Sequence, residues 1–227
     1  RVPEQVIHYM YKTIKTSTLP KFCKKINSID EINNYFTANL TNKYNRVRII
    51  GDIHGCYTAL QQAITPWDEK TLYIFCGDYL ERGIENKEMM YEMMRLSTLP
   101  NTIMLEGNHE RHIANFAFNT NLDRSKRFMK DVVAPIVKDM TKKEVESLQR
   151  ELRLFYKSLR QCYPFSFHGK KYLVSHGGLS YVPNMTFIAT STFINGFGAY
   201  ETNIANIYDT NYEQGMCQEF IQIHGHR

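Results

Sequence analysis

No stretch of this chain approaches the ~20 consecutive apolar residues that a membrane-spanning helix needs, and no secretory leader is visible. Cysteine is scarce and unpaired in pattern. Cys23, Cys56, Cys76, Cys162 and Cys217 make an odd set of five with no CxxC spacing. That excludes a disulfide framework and a zinc ribbon, and free thiols in a reducing cytoplasm are the expectation. Internal repeats and low-complexity tracts are absent. The net charge of +5 is mild. Basic residues gather at Lys12, Lys15, Lys21, Lys24 and Lys25, and again at Arg124, Lys126, Arg127 and Lys130. These clusters suit a polyanionic partner, but such clusters are more often solvated faces.

What is present is an ordinary globular balance, 43% apolar and 22% charged over 227 residues. That length accommodates one domain with an appendage. The chain opens on Arg1 rather than Met, which reads as a fragment of something longer. Residues 1–44 form the expected appendage, a helical leader. Pro3 suits a first helical turn, Leu19-Pro20 breaks it, and Ser28-Ile-Asp-Glu31 is a capping-box signature for a second helix. The expected domain runs over residues 45–227.

From residue 46 short apolar runs alternate with helical patterns. "RVRIIGD" ends at Asp52, "TLYIFCGD" at Asp78, "NTIMLEGN" at Asn108, "KKYLVSH" at His176 and "EFIQIHGH" at His226. Their β-branched and aromatic content predicts five strands, each ending in a residue that can ligate a metal. Tyr57 to Ile64 and Glu85 to Leu96 read as crossover helices. The stripe of Met89, Met90, Met93 and Met94 reads as core rather than a binding face. This alternation predicts an α/β fold with parallel pairing, and a site outside the carboxyl ends of the strands. Arg111 to Cys162 reads as a long helical insertion in which Thr141 to Glu144 form a capping box. Val145, Leu148, Leu152, Phe155 and Leu159 then follow at spacings of three and four. His168-Gly169 reads as a hairpin turn, and His8, His112 and His168 as structural. Cys76 reads as core, and Cys56 at a helix start is not expected to be catalytic.

Two aspartates, an asparagine and three histidines at converging strand ends form a mixed oxygen and nitrogen donor set without thiolates. That set suits Mn²⁺, Fe²⁺, Zn²⁺ or Ni²⁺ better than a structural zinc site. One central carboxylate can bridge a metal pair, which activates water and clamps phosphate oxygens. Glycines at 51, 55, 77, 83 and 107 are expected to permit close backbone approach and sharp turns. Arg82 can hold phosphate oxygens, and His109 is placed to protonate a leaving oxygen. Arg111, beside it, can reach substrate or form a surface salt bridge.

"GDIHG", "GDYLERG", "GNHE", "SHGG" and "HGH" stand in the order of the calcineurin-like metallophosphoesterases of the phosphoprotein-phosphatase type, which residues 46–227 resemble. The resemblance implies a sandwich of two mixed β-sheets flanked by helices. It also implies two divalent metals (manganese first; nickel, iron or zinc otherwise). Asp52 and His54 would hold the first metal, Asp78 would bridge, and Asn108, His176 and His226 would complete the second site, with His224 the alternative in "HGH". Arg82 would bind phosphate and His109 would act as general acid. Glu81 stands where the family has Asp, so its pairing with His109 either survives with shifted geometry or is lost. Family members continue with further strands after the last motif, so a truncated domain is expected.

The opening residues "RVPEQVIHYMYKTIK" resemble the closing segment of P-loop polynucleotide kinases. That implies a fused or associated kinase domain, and a phosphatase acting on nucleic-acid ends that carry 3′-phosphate or 2′,3′-cyclic phosphate. Protein serine/threonine phosphatase and dinucleoside polyphosphate hydrolase are the alternative enzymatic readings. An inactive binding module is a third class, which only Glu81 supports. A phosphorylated substrate, no membrane partner and a cytoplasmic location complete these expectations.

Overall fold

The computed structural model of the chain describes residues 29–182, 188–216 and 220–226. His8, the lysines between 12 and 25, Ser28, Cys23 and Cys217, together with the leader's expected first helix, lie outside the described residues. The chain divides into two units, Arg1–Tyr35 and Phe36–Arg227. The described part of the first is helical, within α1 (Ile29–Phe36).

The second unit is α/β, with two sheets flanked by helices. β2 (Arg46–Ile50), β3 (Thr71–Phe75) and β4 (Thr102–Met104) form a three-stranded parallel sheet with β3 in the middle. The other sheet has the order β1 (Ala38–Asn39), β5 (Cys162–Phe167), β6 (Lys170–Ser175), β7 (Ile221–His224). Its β5–β6 pair is antiparallel and its outer pairs are parallel, so this sheet alone is mixed. All five strands read from the sequence are present.

The side-chain period of two explains how β3 is buried on both faces. Leu72, Ile74 and Cys76 point between the sheets, where Phe165, Val174 and Leu105 meet them. Tyr73 and Phe75 point the other way, into a helical layer. Met89 and Met93 of α3 (Asn86–Ser97) and Leu152 and Phe155 of α5 (Lys142–Ser158) fill that layer. The methionine stripe is therefore core. Burying each such side chain contributes about 1.5–3 kcal/mol. A third cluster, with Leu173, Phe193 and Tyr208, covers the far face of the mixed sheet. α2 spans Tyr57–Ile64, as the spacing predicts.

The expected insertion departs from one long helical stretch. α4 (Glu110–Phe118) stops at Asn119, whose φ of 54° is left-handed. Short helical turns follow, including a π-helical turn at Met129–Val133. α5 then begins with the predicted Thr141–Glu144 capping box, formed in both directions. Cys162 lies outside the insertion and opens β5. There Tyr163 and Phe165 are buried on one face, and Pro164 hides the strand signal. β1 pairs only with Phe165 and Ser166, so Pro164 faces no partner strand on that side. β5 turns into β6 through His168 and Gly169, both with positive φ. That hairpin turn is the one read from the sequence.

Candidate active site

The carboxyl ends of β2, β3, β4, β6 and β7 deliver Asp52, Asp78, Asn108, His176 and His226 to one place, joined by His54 from the loop after β2. The loops are tied backbone to backbone. The amides of Ile53 and His54 donate to the Asp78 carbonyl at 3.1 and 2.9 Å, and Gly225 donates to the His176 carbonyl at 3.0 Å. Space is tight enough to exclude a side chain at Gly107 and Gly225. A Cβ at Gly107 would lie 2.3 Å from Asp78 Oδ1, and one at Gly225 would lie 2.4 Å from Asp52 Oδ1. Gly51 is different: a Cβ there meets nothing within 4 Å and its φ is not positive, so the close approach expected of it is not required.

Asp78 is the hub and only 2% exposed. Its Oδ2 faces His54 Nε2 at 3.6 Å and His109 Nε2 at 3.8 Å. Its Oδ1 faces His176 Nε2 at 3.5 Å and accepts the His109 amide at 3.0 Å. Two metal-capable triads share it. His54, Asp78 and His109 offer ligand atoms within 4.8 Å of one another, and so do Asp78, His176 and His226. Asn108 Oδ1 lies 3.0 Å from His176 Nε2, and His226 Nδ1 lies 3.2 Å from the same atom. Asp52 sits at the edge, with Oδ2 3.9 Å from His54 Nε2 and Oδ1 accepting the His226 amide at 3.0 Å. The ring of His224 turns aside, with Nδ1 2.9 Å from the Gly225 carbonyl.

The donor set fits divalent cations. His54 places Nδ1 3.2 Å from the Leu80 carbonyl, which makes that nitrogen the donor and leaves Nε2 as a lone pair. That Nε2 is buried with no hydrogen-bond partner while it faces two carboxylates. His176 repeats the arrangement, with Nδ1 2.9 Å from the Cys76 carbonyl and Nε2 turned to Asp78 and Asn108. A buried lone pair among carboxylates is compensated by a cation.

Backbone strain gathers at the same residues. His54, Asp78, Glu81, Arg82 and His226 are five of the eight non-glycine residues with positive φ among the described residues. The other three, Asn119, Asn121 and His168, are turn residues. Each such conformation costs on the order of 1–3 kcal/mol and persists where the surroundings over-determine it.

Glu81 does reach His109: its Oε2 is hydrogen-bonded to Nδ1. This bond first, with help from the Asp78 charge, raises the His109 pKa against the effect of burial. Burial pushes the Glu81 carboxyl up, but the His109 bond and charge hold it below its usual value. Arg82 is exposed beside this pair. Together with Glu81, His109, Asn86, Arg127 and Asp131 it lines a cavity of about 470 Å³. Cys56 is exposed on the loop before α2, and burial pushes the Cys76 thiol up to about 12, in keeping with a core role.

The sequence reading gives Glu110 no role, although it is the last residue of "GNHE". It is fully buried, and its carboxylate accepts the amides of Gly107 at 2.6 Å, Asp78 at 2.8 Å and Tyr79 at 3.1 Å. The loops after β3 and β4 are thereby clamped together. Burial and the Asp78 charge push its carboxyl up, against the pull of those three amides. The available signal was an acid at the first helical position, where a carboxylate reaches back to free amides.

A family described as calcineurin-like phosphoesterase matches residues 45–214. Serine/threonine-protein phosphatase 2 of Salmonella typhimurium is 38% identical over 80 residues, which are 34% of this chain and 34% of that protein. The symmetrical bis(5′-nucleosyl)-tetraphosphatase of Baumannia cicadellinicola is 32% identical over 136 residues, 58% of this chain and 41% of that protein. The chain thus matches well under half the length of either relative. A solved structure of a protein serine/threonine phosphatase from Saccharomyces cerevisiae, with similarity to human phosphatase PP5, shares the fold. Its TM-score is 0.51 at 17% identity, covering 100% of this chain and 78% of that one.

Proposed function

This chain belongs to the calcineurin-like phosphoesterases, and from that premise we propose that it hydrolyses phosphate esters with two divalent metals held by Asp52, His54, Asp78, Asn108, His176 and His226. The observation that carries this reading is the buried His54 Nε2 lone pair, orphaned between two carboxylates. Asp78 would be the shared ligand, since its Oδ2 faces His54 Nε2 at 3.6 Å and its Oδ1 faces His176 Nε2 at 3.5 Å. When bound, a divalent pair supplies an acidified water and neutralises phosphoryl charge during in-line displacement. Arg82 presents its planar fork to the non-bridging oxygens. As the P–O bond breaks, the proton on His109 Nε2 passes to the leaving oxygen. Glu81, bonded to Nδ1, holds the ring in position and favours its charged form. Glu81 thus serves where a shorter carboxylate is usual in the family, which counts against a degraded binding module.

For the substrate, the proposed class is a polynucleotide end bearing 3′-phosphate or 2′,3′-cyclic phosphate. Arg82, exposed in the cavity beside His109, suits a phosphate-bearing chain, while Arg127 on the same wall is paired with Asp131 at 3.4 Å. Protein serine/threonine phosphatase is the second reading, favoured by the name of the Salmonella relative. The two separate in one assay. Phosphate release is measured from a 3′-phosphorylated RNA oligonucleotide and from a phosphoserine peptide, with Mn²⁺, with Ni²⁺ and with chelator. The expectation is metal-restored, chelator-abolished turnover of the RNA. Turnover of the peptide alone transfers the protein to the second reading, and chelator-resistant turnover removes the two-metal mechanism.

The role of His109 has its own test. His109→Ala is expected to slow hydrolysis of alkyl phosphates by about 10²–10⁴-fold, the range of general acid catalysis. Aryl phosphates with good leaving groups, which need no proton, should lose about tenfold or less. Equal losses across a leaving-group series would remove the acid role.

A further inference from the structure

A second polar cavity, of about 410 Å³, lies next to the site and is lined by Arg111, His112, Asn115, Asn121 and Arg124. It borders the His109 side: the rings of His109 and His112 are 6.2 Å apart. Its wall is a closed network. His112 Nδ1 and Asn115 Nδ2 each lie 2.8 Å from the hydroxyl of Ser125, which is buried. The His112 ring stacks on Phe128 at 5.8 Å. On the other side of His112, Arg111 Nε donates to Nε2 at 3.4 Å, which makes that nitrogen the acceptor and Nδ1 the donor to Ser125.

The charge in this cavity is uncompensated. Among the described residues neither Arg111 nor Arg124 has a carboxylate within ion-pair distance. The neighbouring Lys126 and Arg127 do, at 3.5 Å to Asp123 and 3.4 Å to Asp131. With Nε engaged by His112, the outer edge of the Arg111 guanidinium remains for a ligand. Two guanidiniums beside an asparagine amide form a recognition set for a planar or tetrahedral oxyanion, and arginine's fork matches phosphate.

We propose that this cavity receives a second phosphate carried on the leaving group, the one on the 5′ side of a terminal 3′-phosphorylated nucleotide, for which a nucleoside 3′,5′-bisphosphate is the smallest mimic. The inference rests on the phosphatase reading above and adds a specificity subsite formed by Arg111 and Arg124. The position follows from the chemistry. His109 meets the leaving oxygen, and His112, one helical turn further on α4, opens onto the cavity. A second phosphate a few bonds beyond the scissile one therefore falls between the two arginines.

The test uses the Mn²⁺-loaded full chain with adenosine 3′,5′-bisphosphate, adenosine 3′-monophosphate, adenosine 5′-monophosphate and p-nitrophenyl phosphate. The bisphosphate is expected to exceed both monophosphates in kcat/KM by about ten- to a hundredfold, as two charge-assisted contacts provide. Arg124→Ala and Arg111→Ala should each lower that ratio by about tenfold, and together should bring it near one. Both side chains are exposed, so neither substitution touches the core. Turnover of p-nitrophenyl phosphate with no bisphosphate preference, or a preference that survives both substitutions, overturns the subsite alone. Absence of turnover of all four compounds overturns the phosphatase reading and this inference with it.

Discussion

Asp78→Ala is expected to lower kcat/KM by at least about a thousandfold, equivalent to roughly 4 kcal/mol of barrier. The size follows from what one side chain does. Its two oxygens face three imidazoles, at 3.5, 3.6 and 3.8 Å, and both triads of ligand atoms include it. Alanine removes the shared carboxylate and leaves the lone pairs of His54 and His176 without the charge that would draw a cation to each. It also frees the His109 amide, which Asp78 Oδ1 holds at 3.0 Å. Asp78→Asn separates these effects, because its carbonyl oxygen can still accept that amide while the charge is gone. Both variants should retain the fold, bind fewer metal equivalents by elemental analysis and lose turnover together. Activity within about tenfold of the unmodified protein in Asp78→Ala would sink the shared-ligand assignment.

Glu110→Ala carries the second large effect, on stability first and activity as a consequence. Three amides lose the carboxylate that accepts them, at a side chain that is 0% exposed. Each orphaned donor costs about 1–3 kcal/mol, with partial relaxation expected. A loss of about 3–5 kcal/mol follows, and for a chain of this length a fall in Tm on the order of 10 °C. Glu110→Gln should fall between the two, because its carbonyl keeps one or two acceptor contacts while its amide group faces a donor. Thermal unfolding of all three proteins, with and without Mn²⁺, decides the matter. A change in Tm of under about 2 °C in Glu110→Ala would mean that the loops after β3 and β4 do not depend on this carboxylate.

Much of this molecule is written locally. An alternating or β-branched run followed by Asp, Asn or His can be read along the chain, because strand propensity and ligand chemistry both reside in neighbouring residues. So the five strands, α2, the methionine core face, the α5 cap and the His168-Gly169 turn were legible, as were the residue types suited to a metal site. Other features depend on residues far apart. β5 was hidden because Pro164 mimics a breaker, and only the short reach of β1 makes it tolerable. Whether Glu81 reaches His109 depends on the left-handed backbone at Glu81 and Arg82, which no residue type there announces. Glu110 has no distinguishing sequence signal beyond its place at a helix start, and its role exists only because folding places three amides around it.

The sequence by itself determined which donors stand at which strand ends, since those identities are set residue by residue. The tertiary structure alone decided that the ends of two different sheets meet. His176 from one and Cys76 from the other come within 2.9 Å, which orients an imidazole toward Asp78. It decided too that His226 and not His224 enters the cluster, and that Arg111 and Arg124 share one cavity. Convergence of that kind is a property of packing, and packing is settled by side chains whose partners lie a hundred residues away.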